Sequence, residues 1–267
     1  MQNIYDIYNM IEAIIISIFA CLIAILTFFS GFGLGTLLTP VLIVVFPAEL
    51  AITLTGIVHL VNNIFKWLLV RKKVDWSVVI KFGGPAIIAA FFGAYLLFTF
   101  KNLDINYSYT LFGKSIEQNL LKIIISIILF FFTLTELIPK AYDKKFDTKW
   151  LPIGGLLSGF FGGLSGIQGA LRSAFLIKIN LSKESFIATT ITISTLVDFS
   201  RIGVYFSKIN ILEISNQFHL LIFTCIGAIT GSIIGNFMLK KTTITFVQKL
   251  VNICLLVLAI SLAIGVI

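Results

Sequence analysis

Residues 11–46 make an apolar stretch that fits neither one membrane crossing nor two. A helix rises about 1.5 Å per residue, so as a single helix this stretch would reach over 50 Å, against a hydrocarbon core of about 30 Å. The interruption falls at "GFGLGTLLTP", residues 31–40, where three glycines stand at alternate positions and a proline follows. The piece after it, 36–46, is too short to cross. A helical hairpin that enters and leaves by one face, with Gly31, Gly33 and Gly35 at its tip, satisfies both lengths. Residues 150–179 pose the same problem, broken around "GGLSGIQGALRS".

The rest of the chain decides that the surrounding medium is lipid. Of 267 residues, 58% are hydrophobic and only 12% charged, half the charge of a soluble domain. Apolar runs recur at 50–70, 77–100, 119–139, 185–207, 217–239 and 246–266. The polar break 101–118 and the charged break 140–149 are the only long connections. The fold class is therefore an all-α polytopic membrane protein. The net charge of +8 sits mostly in short loops, as membrane orientation requires, and nucleic acid is not expected as a partner. Cys21, Cys225 and Cys254 lie in apolar segments without CxxC spacing, so they read as free thiols and no metal or cofactor is expected. The opening "MQNIYDIYNMIEA" lacks Lys and Arg, which argues for a retained first helix and no cleaved signal peptide.

Sliding the chain against itself by 135 residues reveals a repeat. Gly31 then falls on Gly166, Glu49 on Glu184, Thr55 on Thr190, Lys66 on Arg201 and Asp75 on Asn210. Small residues every fourth position recur in both halves, Pro85, Ala89 and Gly93 against Gly227, Gly231 and Gly235, and such faces let helices approach closely in lipid. The expected units are repeat 1 over 1–140 and repeat 2 over 141–267, each a broken hairpin (11–46, 150–179) plus three spans. With non-crossing hairpins, twelve Lys and Arg gather on one side, at 71–73, 140–149, 178–183 and 240–249, and four on the other, at Lys101, Lys114, Lys122 and Lys208. Counting each hairpin as a crossing would give eight against eight. The positive-inside rule favours the first arrangement, inverted repeats with both termini outside.

Backbone that leaves the helix inside a membrane must be buried in protein or line a wet cavity. Glycines leave their amides open to a ligand, and a helix that starts at such a tip turns its N-terminal dipole toward an anion. Pro40 is expected near the start of the outgoing arm, where a proline costs little. The candidate substrate-binding set is Gly31, Gly33, Gly35 and Thr36 at the first tip, with Ser165, Gly166, Gln168, Gly169, Arg172 and Ser173 at the second. Arg172 is either an anion-coordinating residue or one that snorkels or pairs with Asp198. Two helices carry polar stripes at helical spacing: Thr55, His59, Asn62/Asn63 and Lys66 on one, Thr190, Ser194, Asp198 and Arg201 on the other. His59, Asn63, Lys66, Asp198 and Arg201 form a candidate proton or ion pathway, histidine being the side chain with a reference pKa of about 6.5. His219 is expected at an interface. The bland alternative for both stripes is ordinary inter-helix hydrogen bonding with one ion pair.

The breaks "SGFGLGTLLTPVL" and "GGLLSGFFGGLSGIQGALRSAFL", each followed by a helix opening near "AELAITLTG" or "KESFIATTIT", resemble the sulfite exporter TauE/SafE family, as does "KKVDW". The resemblance covers roughly 12–266. It implies a plasma-membrane permease of about eight apolar segments that moves small oxyanions such as sulfite or sulfonates outward. Gly31, Gly33, Gly35, Pro40, Gly162, Gly163, Gly166 and Gly169 would form its two broken-helix motifs. The chain departs from the family pattern at Leu34 and Gln168, at Ala174–Phe175 where a proline is expected, and at Arg172 in a region usually apolar. The expected function is anion export by alternating access, with protons as the candidate coupling ion and self-association left open. A passive anion channel is the alternative. An intramembrane serine protease is the remote one: "GLSG", Gly163 to Gly166, carries the serine, but His219 in "NQFHLL" is the only later histidine.

Overall fold

The computed structural model describes residues 2–30, 33–103, 105–111, 113–137, 148–177, 179, 181–238 and 244–266. The first apolar stretch is α1 (Gln2–Ser30) followed by α2 (Leu34–Ile43). Next come α3 (Ala48–Val70) and the short α4 (Trp76–Val78), which continues through a π-type turn at Val79–Gly83 into α5 (Gly84–Asn102). The second half repeats the order: α6 (Leu120–Leu137) closes the first, then α7 (Leu151–Ser165), α8 (Gly169–Leu176), α9 (Lys183–Lys208), α10 (Ile211–Ser215), α11 (Phe218–Met238) and α12 (Ile244–Ala263). Five helices are long and apolar enough to cross a membrane, within α1, α3, α4–α5, α9 and α11. The apolar described stretches of α6 and α12, Leu120–Leu134 and Asn252–Ala263, are shorter.

Both broken segments double back. Phe175 of α8 stands against Gly154 near the start of α7, while Gln168 stands against Gly162 near its end, so α8 retraces α7. α2 starts beside His59, midway along α3, and returns to the turn from which α3 begins. Pro40 departs from expectation: it lies inside α2, past the first turn. The polar connection 101–118 folds as a hairpin of β1 (Asn106–Leu111) and β2 (Lys114–Asn119), turned at Gly113 with φ +78°. It packs on the far end of the chain: Tyr109 Oη donates to the Ile264 carbonyl at 2.6 Å and Gln118 Nε2 to the Ala263 carbonyl at 3.2 Å, filling acceptors at the end of α12 that no helix can satisfy internally.

Helix directions follow from which residues meet. Gly155, Gly159 and Gly163 of α7 pack in turn on the backbone at Phe82, Ala86 and Ala90, so α7 runs parallel to α5. Gly227, Gly231 and Gly235 of α11 climb α1 in the same way, past Ser17, Cys21 and Phe28. α3 and α9 run antiparallel instead. The Asp75 amide, just past α3, donates to Thr189 Oγ1 at 2.9 Å, Asn63 meets Asp198, and Gly56 lies against Arg201 and Tyr205, which sets α3 against α9. Asp75 and Asn210, counterparts in the repeat, each cap a short helix through their side chains, on Val78 N at 3.1 Å and Leu212 N at 3.0 Å.

The glycine contacts make a stability prediction. Gly159→Leu, whose side chain would enter the backbone at Ala86, is expected to cost more than the ~1–3 kcal/mol typical of overpacking and to lower the melting temperature in detergent. Gly203→Ala, which meets open space, is expected to hold or raise it.

Candidate functional site

The two glycine elbows touch at the centre of the fold. Gly33 (φ +80°) and Gly166 (φ +78°) both occupy the left-handed region that side chains disfavour. A Cβ placed on Gly35 would lie 3.1 Å from the Gly166 carbonyl oxygen, and one placed on Gly33 would lie 3.0 Å from the His59 imidazole and 3.8 Å from the Arg172 guanidinium. Any side chain here would therefore push the elbows apart or displace His59. Gly169 opens α8, and Thr36 is buried in the first turn of α2. Gly31 lies outside the described residues. Ser173 is buried in α8, its hydroxyl without a partner among the described residues. Ser165 donates to the Phe161 carbonyl at 2.8 Å and accepts from the Ile167 amide at 3.4 Å, so its hydroxyl is spent on ending its own helix.

Asp198, fully buried on α9, is the hub behind the elbows. Its Oδ2 receives His59 Nδ1 at 2.6 Å and Asn63 Nδ2 at 3.1 Å; its Oδ1 receives Arg201 Nε at 2.9 Å and Gln168 Nε2 at 3.1 Å. The Arg201 Nη2 lies 2.8 Å from the same Oδ1. One carboxylate thus ties together α3, α9 and the second elbow. A buried ion stripped of water needs this density of partners. Among the described residues Asp198 pairs with Arg201, one turn along its helix, and with His59. Arg172 reaches Gln168 Oε1 through Nη1 at 3.3 Å.

Lys66 is handled differently. It is buried, its ammonium lies 5.1 Å from the Phe28 ring centroid, and the Asn62 amide oxygen accepts from its Nζ at 3.2 Å once that amide is oriented to donate to Ala228. No described carboxylate stands within ion-pair distance of it. It lines a cleft of about 30 Å³ with Gly33, Asn63, Arg172, Thr190 and Ser194, bounded by Thr27, Phe28, Phe186 and Ile187. That is room for roughly two waters, or for a small anion in their place. The cleft lies toward the end of α3 that carries Arg71–Lys73, since Phe186 and Ile187 belong to the first turns of α9.

The structure brings together at one centre His59, Asn63, Lys66, Asp198 and Arg201 from the stripes and Gly33, Gly35, Gly166, Gln168 and Arg172 from the elbows. Thr36, Ser165, Gly169 and Ser173 stand on the arms α2, α7 and α8, outside these contacts. His219 is exposed on the first turn of α11. The three cysteines are free. Among the lining or bracing residues not singled out by sequence are Thr27, Phe28 and Tyr205. Thr27 and Phe28 stand one turn before the first elbow, and Tyr205 continues the α9 stripe one turn past Arg201. The signal for Tyr205 was its helical spacing; Thr27 and Phe28 had none, because a threonine and a phenylalanine in a membrane helix are ordinary.

The profile of a family described as sulfite exporter TauE/SafE matches residues 16–262. No curated protein and no solved structure matches the chain.

Proposed function

The chain belongs to the sulfite exporter TauE/SafE family, and from that premise we propose that it exports small oxyanions such as sulfite or sulfonates across the plasma membrane. The single observation that carries this reading is Lys66: a buried ammonium in a cleft beside a glycine elbow, with no described carboxylate to neutralise it. An uncompensated cation in a low-dielectric cleft is costly, and an anionic guest removes the cost. Arg172 supplies a planar fork suited to an oxyanion, while Gly33, Thr190 and Ser194 line the same cleft.

Two inverted repeats would work this site by alternating access, one rocking on the other about the elbows. The antiparallel course of α3 against α9 supports that symmetry, and the basic turn Arg71–Lys73 supports a cytoplasmic opening of the cleft. The short His59–Asp198 contact favours protons as the coupling ion, because a histidine–carboxylate pair holds one proton between two helices.

The test is a flux screen of small oxyanions in proteoliposomes, with and without a pH gradient. Wild type is expected to show saturable flux that follows the gradient. Arg172→Ala is expected to lower it by about tenfold or more, the loss of one charge-assisted hydrogen bond. Voltage-driven current without saturation would replace the carrier by a channel. Flux indifferent to the pH gradient would remove the proton.

A further inference from the structure

The cleft at Lys66 has a counterpart in the other half, and that counterpart is shut. Shifting six of the lining residues by the 135-residue repeat turns Thr27, Phe28, Asn63, Lys66, Thr190 and Ser194 into Gly162, Gly163, Asp198, Arg201, Thr55 and His59, while Arg172 falls on Leu37. Asn63 and Asp198 are each other's counterparts and are in direct contact at 3.1 Å, which puts the symmetry axis between them.

On the Lys66 side the cation lies over the Phe28 ring and the space is open. On the other side the corresponding positions are bridged by hydrogen bonds. Arg201 Nη1 donates to the Gly162 carbonyl at 3.3 Å. Tyr205 Oη donates to the Gly163 carbonyl, and the Tyr205 ring meets Phe98 edge-on at 5.9 Å. Behind these contacts the hydroxyls of Thr39 and Thr55 are buried with no partner among the described residues. A threonine hydroxyl stranded in a packed interior is an unfavourable place to leave a polar group, and it is what a polar passage looks like once collapsed.

The asymmetry has a source in the sequence. The position that corresponds to Tyr205 in the first half is Val70. Tyrosine can reach back to a hairpin carbonyl and donate to it; valine has nothing to donate. We infer that Tyr205, with Arg201, is a bolt that holds shut a second cleft lined by Thr55 and His59, and that the absence of such a bolt at Val70 makes the Lys66-side-open state the resting one. This rests on the alternating-access reading above. Opening the bolt frees the Gly162 and Gly163 carbonyls, hydrates Thr55, and lets the first half close over Lys66.

The experiment is thiol accessibility in a background with Cys21, Cys225 and Cys254 replaced by alanine, read with a charged methanethiosulfonate on protein in liposomes. Thr190→Cys reports the open cleft and Thr55→Cys the shut one. With Tyr205 present, Thr190→Cys is expected to label and Thr55→Cys to resist. Tyr205→Phe, which removes only the donating hydroxyl, is expected to raise the Thr55→Cys rate by about tenfold and to lower the Thr190→Cys rate. A rise at both positions, or no change at either, overturns the bolt. Val70→Tyr gives a second arm that does not depend on the stability of Tyr205→Phe: it is expected to slow Thr190→Cys labelling, and unchanged labelling counts against the proposal. Reciprocal labelling in protein that moves no oxyanion would keep the bolt and remove the transport reading. Oxyanion flux with labelling unmoved would do the reverse.

Discussion

Lys66→Met is expected to abolish the proposed oxyanion flux and to leave the melting temperature unchanged or higher. The two halves of that result have different causes. Lys66 has no described carboxylate partner, so removing its charge leaves no buried acid behind. Methionine retains the length and flexibility that fill the space beside Phe28, and exchanging a buried ion for a well-packed apolar residue is often neutral or stabilising. The cleft, however, loses a cation that has no described carboxylate within ion-pair distance. Flux in proteoliposomes and melting in detergent check the two arms together. A variant that loses both would mean that Lys66 is a structural residue and the cleft is not a site for an anion.

Asp198→Leu has the opposite signature. It removes the acceptor for His59, Asn63, Gln168 and Arg201 at once and leaves a guanidinium buried without its carboxylate. Breaking one side of a buried pair in this way costs about 3–5 kcal/mol, and the melting temperature is expected to fall sharply. Adding Arg201→Met to Asp198→Leu is expected to recover much of the loss, because the pair leaves the interior together and their effects are coupled. Flux stays absent in both, since the elbow that carries Gln168 has lost its anchor. If the double variant were no more stable than the single one, the hub would not be held by charge pairing.

Much of this site was legible in the chain itself. The alternate glycines at 31–35 and the run 162–169 announced a break inside a membrane, because apolar length and backbone freedom are local properties. The 135-residue offset paired Asp75 with Asn210, and the structure adds that each caps a short helix, a role the offset did not predict. Pro40 misled because a ten-residue arm tolerates a proline in its middle when neighbouring helices bury it. The hairpin at 106–119 was missed because its reason for existing, the open carbonyls at Ile264 and Ala263, lies at the far end of the chain.

Lipid as solvent, helix length, the two elbows and the faces that carry ionisable groups were all determined by residue order, since each depends on neighbours within a few turns. The tertiary structure alone decided which charges are answered. Arg201 and His59 reach the one deeply buried carboxylate among the described residues and Lys66 does not, and that outcome depends on how the antiparallel α3 and α9 register against each other. Interaction energy between buried ions varies with distance on the scale of a single helical turn. Spacing along a chain does not carry that distance; packing does.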